Sequence, residues 1–376
     1  MKEIVLSNKK PVVVYGASGY TGRLVMEHLR ELGVPFVAAG RSRARIEEQL
    51  RLVPGIEDAQ YEIAEVEHTV ESLAALFSGR RVVCNTVGPF TRYNCEVAEA
   101  CLKTGVHYLD TTGEQSSILQ LEERYARDFD KAGLVMIPST AYMYAVGEIG
   151  ARYCLETEGV DSLRMHAIGT AVPTVASAQT IFDQASRPFY YLKDRELVRY
   201  PGIENGRVCT PSGEVLVTSS WGGSSNPLWF RHDGRVRNCK MDVAIWNQEL
   251  YKKELELERL YKVQLQWIPE AQLRPLLDHL ARTVTPSTPP RETRQVHRSI
   301  DICLATGNNV AVKSTLFSTG GYLTTGALQA YAASRLSVGK PERTGLRSPS
   351  EVFGHRALMA ALQSFGYASI KVERVV

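Results

Sequence analysis

The sequence predicts an α/β fold, a doubly wound parallel sheet followed by a second, α+β domain. Three observations predict it. Short apolar, β-favouring runs alternate with helical patterns through the first third of the chain; the earliest run ends in a glycine-rich turn that opens a helix; and the alternation stops past Ile137. These signals put a first domain at 1–150, a second at 151–340 and a closing segment at 341–376.

Val12-Val13-Val14-Tyr15 reads as the first strand, and Leu24, Val25, His28 and Leu29 mark one side of the helix after it. Between them runs Gly16-Ala17-Ser18-Gly19-Tyr20-Thr21-Gly22. Its glycines recur where a diphosphate could approach backbone N–H groups at a helix N-terminus, and a side chain there would push the phosphates away. Glycine also ends strands for ordinary turn reasons. Here the turn lies between a strand and a helix, and a second strand, Pro35 to Gly40, returns where a βαβ unit requires it. The turn is therefore read as a dinucleotide site in a Rossmann domain.

After that second strand an NAD-preferring site usually places an acid for the ribose hydroxyls. The chain instead gives Arg41-Ser42-Arg43-Ala44-Arg45, with no acid before Glu47. A guanidinium can hold a 2′-phosphate through paired charge-assisted hydrogen bonds, and Ser42 can add one more. Arg41, Ser42 and Arg43 thus favour NADP(H) as cofactor, the bland alternative being arginines on an exposed helix start.

Strands are expected next at 60–66, Arg81 to Thr86, Val106 to Leu109 and Gly133 to Pro138, with helices from Val70 to Phe77, Tyr93 to Thr104 and Gln115 to Lys131. In such sheets ligands sit beyond the carboxyl ends of the strands. Asn85, Val87, Gly88 and Pro89 lie on that edge, where an unhindered backbone suits the nicotinamide and its ribose. Gly113 follows the next strand.

Three blocks now carry a family resemblance: Gly16-Ala-Ser-Gly-Tyr-Thr-Gly22, Asn85-Thr-Val-Gly-Pro-Phe90 and Gly105-Val-His-Tyr-Leu-Asp-Thr-Thr-Gly-Glu114. In this order and spacing they resemble the saccharopine dehydrogenase-like oxidoreductases, and within them the branch containing the trans-acting enoyl reductases. The resemblance covers the first 150 residues. It implies an NADP(H)-dependent Rossmann domain, an inserted α+β domain for substrate or dimerisation, and a C-terminal helix returning to the first domain. It names no substrate, and the stretch from about 186 to 297 departs from that branch.

Past Ile137, Ala141 to Glu156 reads as a helix, Ser162 to Gly169 as a strand and Ala176 to Ser186 as a helix. Residues 207–219 read as a hairpin, and the glycine- and aromatic-rich 221–230 as a loop. Leucines over 246–282 suit two helices broken near Pro269, a core-facing pair in preference to a homodimer contact. Arg298 to Thr306 and Val310 to Phe317 pair across Gly307-Asn308-Asn309.

A reductase needs a group to deliver a proton beside the hydride carrier. Tyr142, Tyr144, His166 and His297 are the candidates, although a lone Tyr or His is more often structural. No Tyr-x-x-x-Lys pair stands where a short-chain dehydrogenase has one. The expected reaction is reduction of a conjugated C=C bond, as in the enoyl reductases. Reduction of C=N, or the reverse oxidation of a secondary amine, is the alternative, for which Arg152, Arg164, Arg187 and Arg298 could hold substrate carboxylates. A non-catalytic NADP-sensing protein is the third.

Composition bounds the partners. Of 376 residues 44 are Lys or Arg and 41 Asp or Glu, a net charge of +3 that argues for no nucleic acid. The seven cysteines are scattered, with no CxxC pair and no zinc spacing, so no metal is expected and a reducing, cytoplasmic location is. The first eight residues lack an apolar export core, and no run reaches the ~20 apolar residues of a membrane span.

Overall fold

The computed structural model describes residues 9–169, 172–185, 187–265, 267–286 and 289–375. The opening residues that bear on export, and Ser186 at the expected end of a helix, lie outside them. In chain order the elements are β1 (Val12–Tyr15), α1 (Tyr20–Glu31), β2 (Phe36–Gly40), α2 (Arg43–Arg51), β3 (Tyr61–Glu65), α3 (Val70–Phe77), β4 (Val82–Asn85), α4 (Phe90–Thr104), β5 (His107–Asp110), α5 (Gln115–Lys131) and β6 (Val135–Ile137). There follow α6 (Tyr144–Cys154), β7 (Val160–Gly169), α7 (Val175–Ala185), β8 (Tyr190–Lys193), β9 (Glu196–Arg199), β10 (Asn205–Cys209), β11 (Val215–Ser220), α8 (Asn226–Phe230), β12 (Asn238–Ile245), α9 (Gln248–Leu265) and α10 (Glu270–Val284). The chain closes with β13 (Arg298–Gly307), β14 (Val310–Thr319), α11 (Gly321–Val338), β15 (Gly345–Leu346), α12 (Pro349–Phe353), α13 (His355–Ser364) and β16 (Ala368–Arg374).

Two compact units result. The first gathers the chain up to Thr112, Leu119–Ala141 and Thr325–Phe353; the second gathers Gly113–Ile118, Tyr142–Thr324 and Gly354–Val376.

The first unit holds a parallel sheet in the order β15-β6-β5-β4-β1-β2-β3. The order reverses direction beside β1, the switch point at which doubly wound sheets take ligands. Every residue of β1, β2, β4 and β5 is buried, which is why these strands read as unbroken apolar runs and not as alternations. Strand β15, too short to show in the sequence, adds a seventh strand beside β6.

Helix α11 comes late in the chain yet completes this unit. Its Ala330, Ala332, Ala333 and Leu336 pack into one core with Val12, Val14, Val25 and Leu29. Close approach to α1 requires Gly326, because a β-carbon there would lie 2.9 Å from the backbone of Leu24. Buried Gln329 donates to the carbonyl of Asp110 (2.6 Å) and to that of Thr140 (3.0 Å), fixing α11 at the ends of β5 and β6.

The second unit is built on a mixed sheet in the order β10-β11-β12-β7-β13-β14-β16, with β8 pairing β12 and β9 pairing β8. β7 and β12 run parallel in register; β13, β14 and β16 extend the sheet antiparallel. On one face α6 buries Ala151 and Cys154 against Met165, Ala167, Cys303 and Ala305. On the other, Tyr251 and Leu255 of α9 cover Ile168, Ala244 and Ile302. Period-two alternation along β7 and β13 thus assigns neighbouring residues to opposite cores. The expected hairpins at 207–219 and 298–317 are present, and the 221–230 loop contains the short helix α8.

Candidate functional site

In the first unit the turn after β1 is shaped by its glycines. Gly16 has φ +96°, and a β-carbon on it would lie 2.5 Å from Thr86 Oγ1. Its N–H and that of Ala17 donate to the Ala39 carbonyl at 3.0 and 3.1 Å, tying the turn to β2. A β-carbon at buried Gly22 would meet the Gly16 carbonyl oxygen, so α1 seats directly on the turn. The Gly19 N–H is spent on that same oxygen at 2.9 Å, so it is the first-turn N–H groups of α1, Thr21 and Gly22 among them, that lack intrahelical acceptors. A bare backbone, a left-handed glycine and a helix start with no side-chain cap at Gly19 fit a diphosphate. Ser18 Oγ stands within 3.7 Å of a β-carbon placed on Gly40, which puts the turn beside the arginines.

Those arginines differ. Arg41 is exposed, and no acceptor for its guanidinium occurs among the described residues. Its charge acts on Tyr15, whose phenol burial pushes up to about 12 and Arg41 pulls back. Arg43 donates to the Ile63 carbonyl at 3.1 Å and pairs with Glu47 at 3.6 Å, so its guanidinium is already occupied. Ser42 caps α2, accepting from the Arg45 N–H at 3.5 Å, and its O–H stays free to donate. Beside them sequence reasoning missed a cluster: Tyr15 is hydrogen-bonded to His68 Nδ1 at 2.8 Å, and His68 packs edge-on against Tyr93. Only the fold brings positions 15, 68 and 93 together.

Asn85 is wholly buried; it accepts the Val87 N–H at 3.1 Å and donates to Tyr108 Oη at 3.3 Å. Tyr108 donates to Asp110 (2.7 Å), which also accepts the N–H groups of Thr112 (2.9 Å) and Ser139 (2.8 Å). This chain fixes the loop through Gly88 and Pro89, and α4 starts at Phe90, one turn earlier than its apolar pattern indicates.

In the second unit, Gly113 lies under the hydroxyl of Tyr144, where a β-carbon would collide. Next to it Glu114, wholly buried, accepts from Thr180 Oγ1 at 3.0 Å. Gln115 then locks the segment, bonding both the N–H (2.8 Å) and the carbonyl (3.0 Å) of Tyr190. Burial, then the Glu114 carboxylate, holds the Tyr144 phenol well above its ordinary range. Burial and Asp301 do the same for Tyr142. Both tyrosines are therefore protonated acids at neutral pH. Glu114 and Thr180 were not expected; the sequence signal was Glu114 closing the third block.

His166 is not with them. It sits in mid-strand on the α9 face of the sheet, Nδ1 3.8 Å from Asp242, and burial followed by the Arg164 charge lowers it to about 4. At physiological pH the imidazole is therefore neutral, a far weaker proton donor than an imidazolium. His297 Nδ1 accepts the Thr293 N–H at 3.0 Å, a local turn contact. The arginines considered for substrate carboxylates are engaged, among them Arg152 with Asp233 at 2.6 Å, Arg164 with Asp242, and Arg187 with Asp183 at 2.9 Å.

Residues 145–375 match the model of a family of unknown function (DUF5938), and residues 12–137 match the saccharopine dehydrogenase NADP binding domain. A trans-acting enoyl reductase of Mycobacterium tuberculosis is 35% identical over 144 residues, 35% of this chain and 34% of its own. A lipid droplet localized protein of Caenorhabditis elegans is 28% identical over 151 residues, 38% of this chain and 35% of its own. The matched stretches thus span about a third of those relatives. The L-Glu-forming saccharopine dehydrogenase of Saccharomyces cerevisiae superposes with a TM-score of 0.60 at 13% identity, covering 98% of this chain and 100% of its own, a likeness of fold. Among the described residues no helix is long and apolar enough to cross a membrane.

Proposed function

Since the chain belongs to the family DUF5938 and carries a saccharopine dehydrogenase NADP binding domain ahead of that region, we propose that it is an NADP(H)-dependent oxidoreductase reducing a conjugated C=C bond of a small-molecule intermediate. The observation that carries the cofactor reading is the pairing of the side-chain-free turn Gly16–Gly22 with exposed Arg41.

In this reading Ser18, Tyr20, Thr21 and Gly22 present backbone and hydroxyl donors to the diphosphate, and Gly16 and Gly19 give it an approach free of side chains. Arg41, aided by Ser42, takes the 2′-phosphate, and the Asn85–Pro89 loop and Gly113 border the nicotinamide end. When bound, the dinucleotide supplies a hydride. The chain's own part is then the proton, held on the phenol of Tyr144 or Tyr142. Glu114 keeps the Tyr144 proton in place until negative charge develops on the substrate.

The enoyl reductase relatives support C=C over C=N reduction, as does the engagement of Arg152, Arg164 and Arg187, which leaves that set unsuited to an amino-acid conjugate. The test is NADPH oxidation by the purified protein. Turnover with an unsaturated ester or thioester, and none with an α-keto acid plus an amine, is the expected result. The reverse pattern would establish imine chemistry, and tight NADPH binding with neither would establish a sensor.

A further inference from the structure

Strand β16 closes the order of the second sheet and is joined on one side, antiparallel, to β14, from Val312 opposite Arg374 to Ser318 opposite Ala368 without a slip in register. The bonds that flank this ladder fix which way its backbone points. The Tyr367 carbonyl accepts the Thr319 N–H at 2.9 Å, and the Val375 N–H donates to the Ala311 carbonyl at 2.7 Å. Odd-numbered positions of β16 therefore bond inward to β14, and the N–H and C=O groups of Ile370, Val372 and Arg374, alternating with them, point out of the sheet. An edge of this kind is a template for another strand.

The side chains decide which strand fits. Lys371 and Glu373 stand two positions apart on one face, both exposed and paired with each other at 2.6 Å. Between them Val372, 42% exposed, lies on the opposite face. Against an identical strand running antiparallel, a register centred on Lys371 sets that lysine against its own copy, and one centred on Glu373 does the same with the acid; both cost stability. A register centred on Ile370 sets Lys371 against Ser369 and gives up the ion pair. Centred on Val372, the pairing puts each Lys371 opposite Glu373 of the second copy, Val372 against Val372, and Ile370 against the alkyl stem of Arg374. The backbone agrees with the charges, because Val372, Ile370 and Arg374 are the positions whose N–H and C=O groups face outward, so each of these pairs can exchange both its bonds.

We propose that β16 is the docking edge for a second copy of this chain, the two β16 strands pairing antiparallel about Val372 into one sheet continuous across a homodimer. A two-fold axis through the Val372 pair, perpendicular to the sheet, relates the copies. The contact is isologous, each copy spends the same edge on it, and assembly through this edge stops at two. Lys371 and Glu373 of both copies then alternate in sign along the seam, each lysine lying between its own acid and the second copy's. The inference draws on the second sheet alone and stands apart from the redox reading.

The test is sedimentation equilibrium of the full chain with no nucleotide added. A dimer is expected for the wild type and a monomer for Val372→Pro, whose lost N–H lies outside the β14 ladder, so its circular dichroism should match that of the wild type. Lys371→Glu should raise the dimer dissociation constant roughly tenfold, since it turns attraction into repulsion at both cross-strand pairs. Adding Glu373→Lys restores opposite charges there and should return the wild-type value, so the charge variants decide the matter even if Val372→Pro fails to fold. A wild-type monomer overturns the proposal, as does a dimer unaffected by Val372→Pro, or a double variant no tighter than Lys371→Glu.

Discussion

The hydroxyl of Tyr144 fills the space that a β-carbon on Gly113 would need. Gly113→Ala should therefore destabilise the protein by about 1–3 kcal/mol, the usual range for overpacking a close contact. Adding Tyr144→Phe, which removes the obstructing oxygen, should recover part of that loss. Urea unfolding of the two single variants and the double variant measures the coupling, and simple additivity would mean that the two groups do not collide.

Exposed Arg41 and engaged Arg43 should separate in nucleotide titrations. Arg41→Ala should weaken NADPH binding at least tenfold, since a hydrogen bond to a charged group contributes about 1.5–3 kcal/mol and each 1.4 kcal/mol is tenfold. NADH affinity should hardly change. Arg43→Ala, whose guanidinium is held by the Ile63 carbonyl and Glu47, should have the smaller effect on NADPH. Equal losses for both nucleotides with Arg41→Ala would refute the phosphate assignment.

Glu148 is wholly buried and pairs with Arg152, which also holds Asp233 at 2.6 Å. Replacing Arg152 by Met takes the cation away from a buried carboxylate, and such losses run to about 3–5 kcal/mol. Calorimetry should show a large drop in Tm at neutral pH. An unchanged Tm would mean that Glu148 is neutral in the folded protein.

His166 has its folded-state value lowered from 6.5 to about 4. The unfolded chain thus binds the extra proton first as pH falls. The stabilisation due to the neutral ring is complete above about pH 6.5 and is lost toward pH 4, at up to about 1.4 kcal/mol per pH unit. In His166→Gln the decline in stability over that interval should be shallower, as read from urea unfolding at pH 7 and pH 5. His107, lowered to about 4 by burial and Arg81, adds a second such slope that the variant retains.

The first unit was the legible one because each of its signals is local. Its strands are buried on both faces and read as apolar runs, while Gly22 answers to a turn only a few residues away. The second unit is governed by register. Nothing in the string 238–245 announces that β12 pairs in parallel with β7 across some seventy residues, and β16 alternates weakly because it lies on an edge. The same limit applies to the site. His166 and Asp301 are both polar residues in apolar strands, and only the pairing of β7 with β13 puts one toward α9 and the other beneath α6. Glu114 was visible as the end of a shared block, but its partner Thr180 was not, being 66 positions away.

The placement of α11 bears on biosynthesis. The parallel sheet's own strands up to β6 are translated by residue 137, yet Ala330, Ala333 and Gln329 belong to a helix that emerges nearly two hundred residues later. A nascent chain leaving the ribosome must carry a bare apolar flank beside α1 for that whole interval, and a severed amino-terminal fragment would keep it permanently.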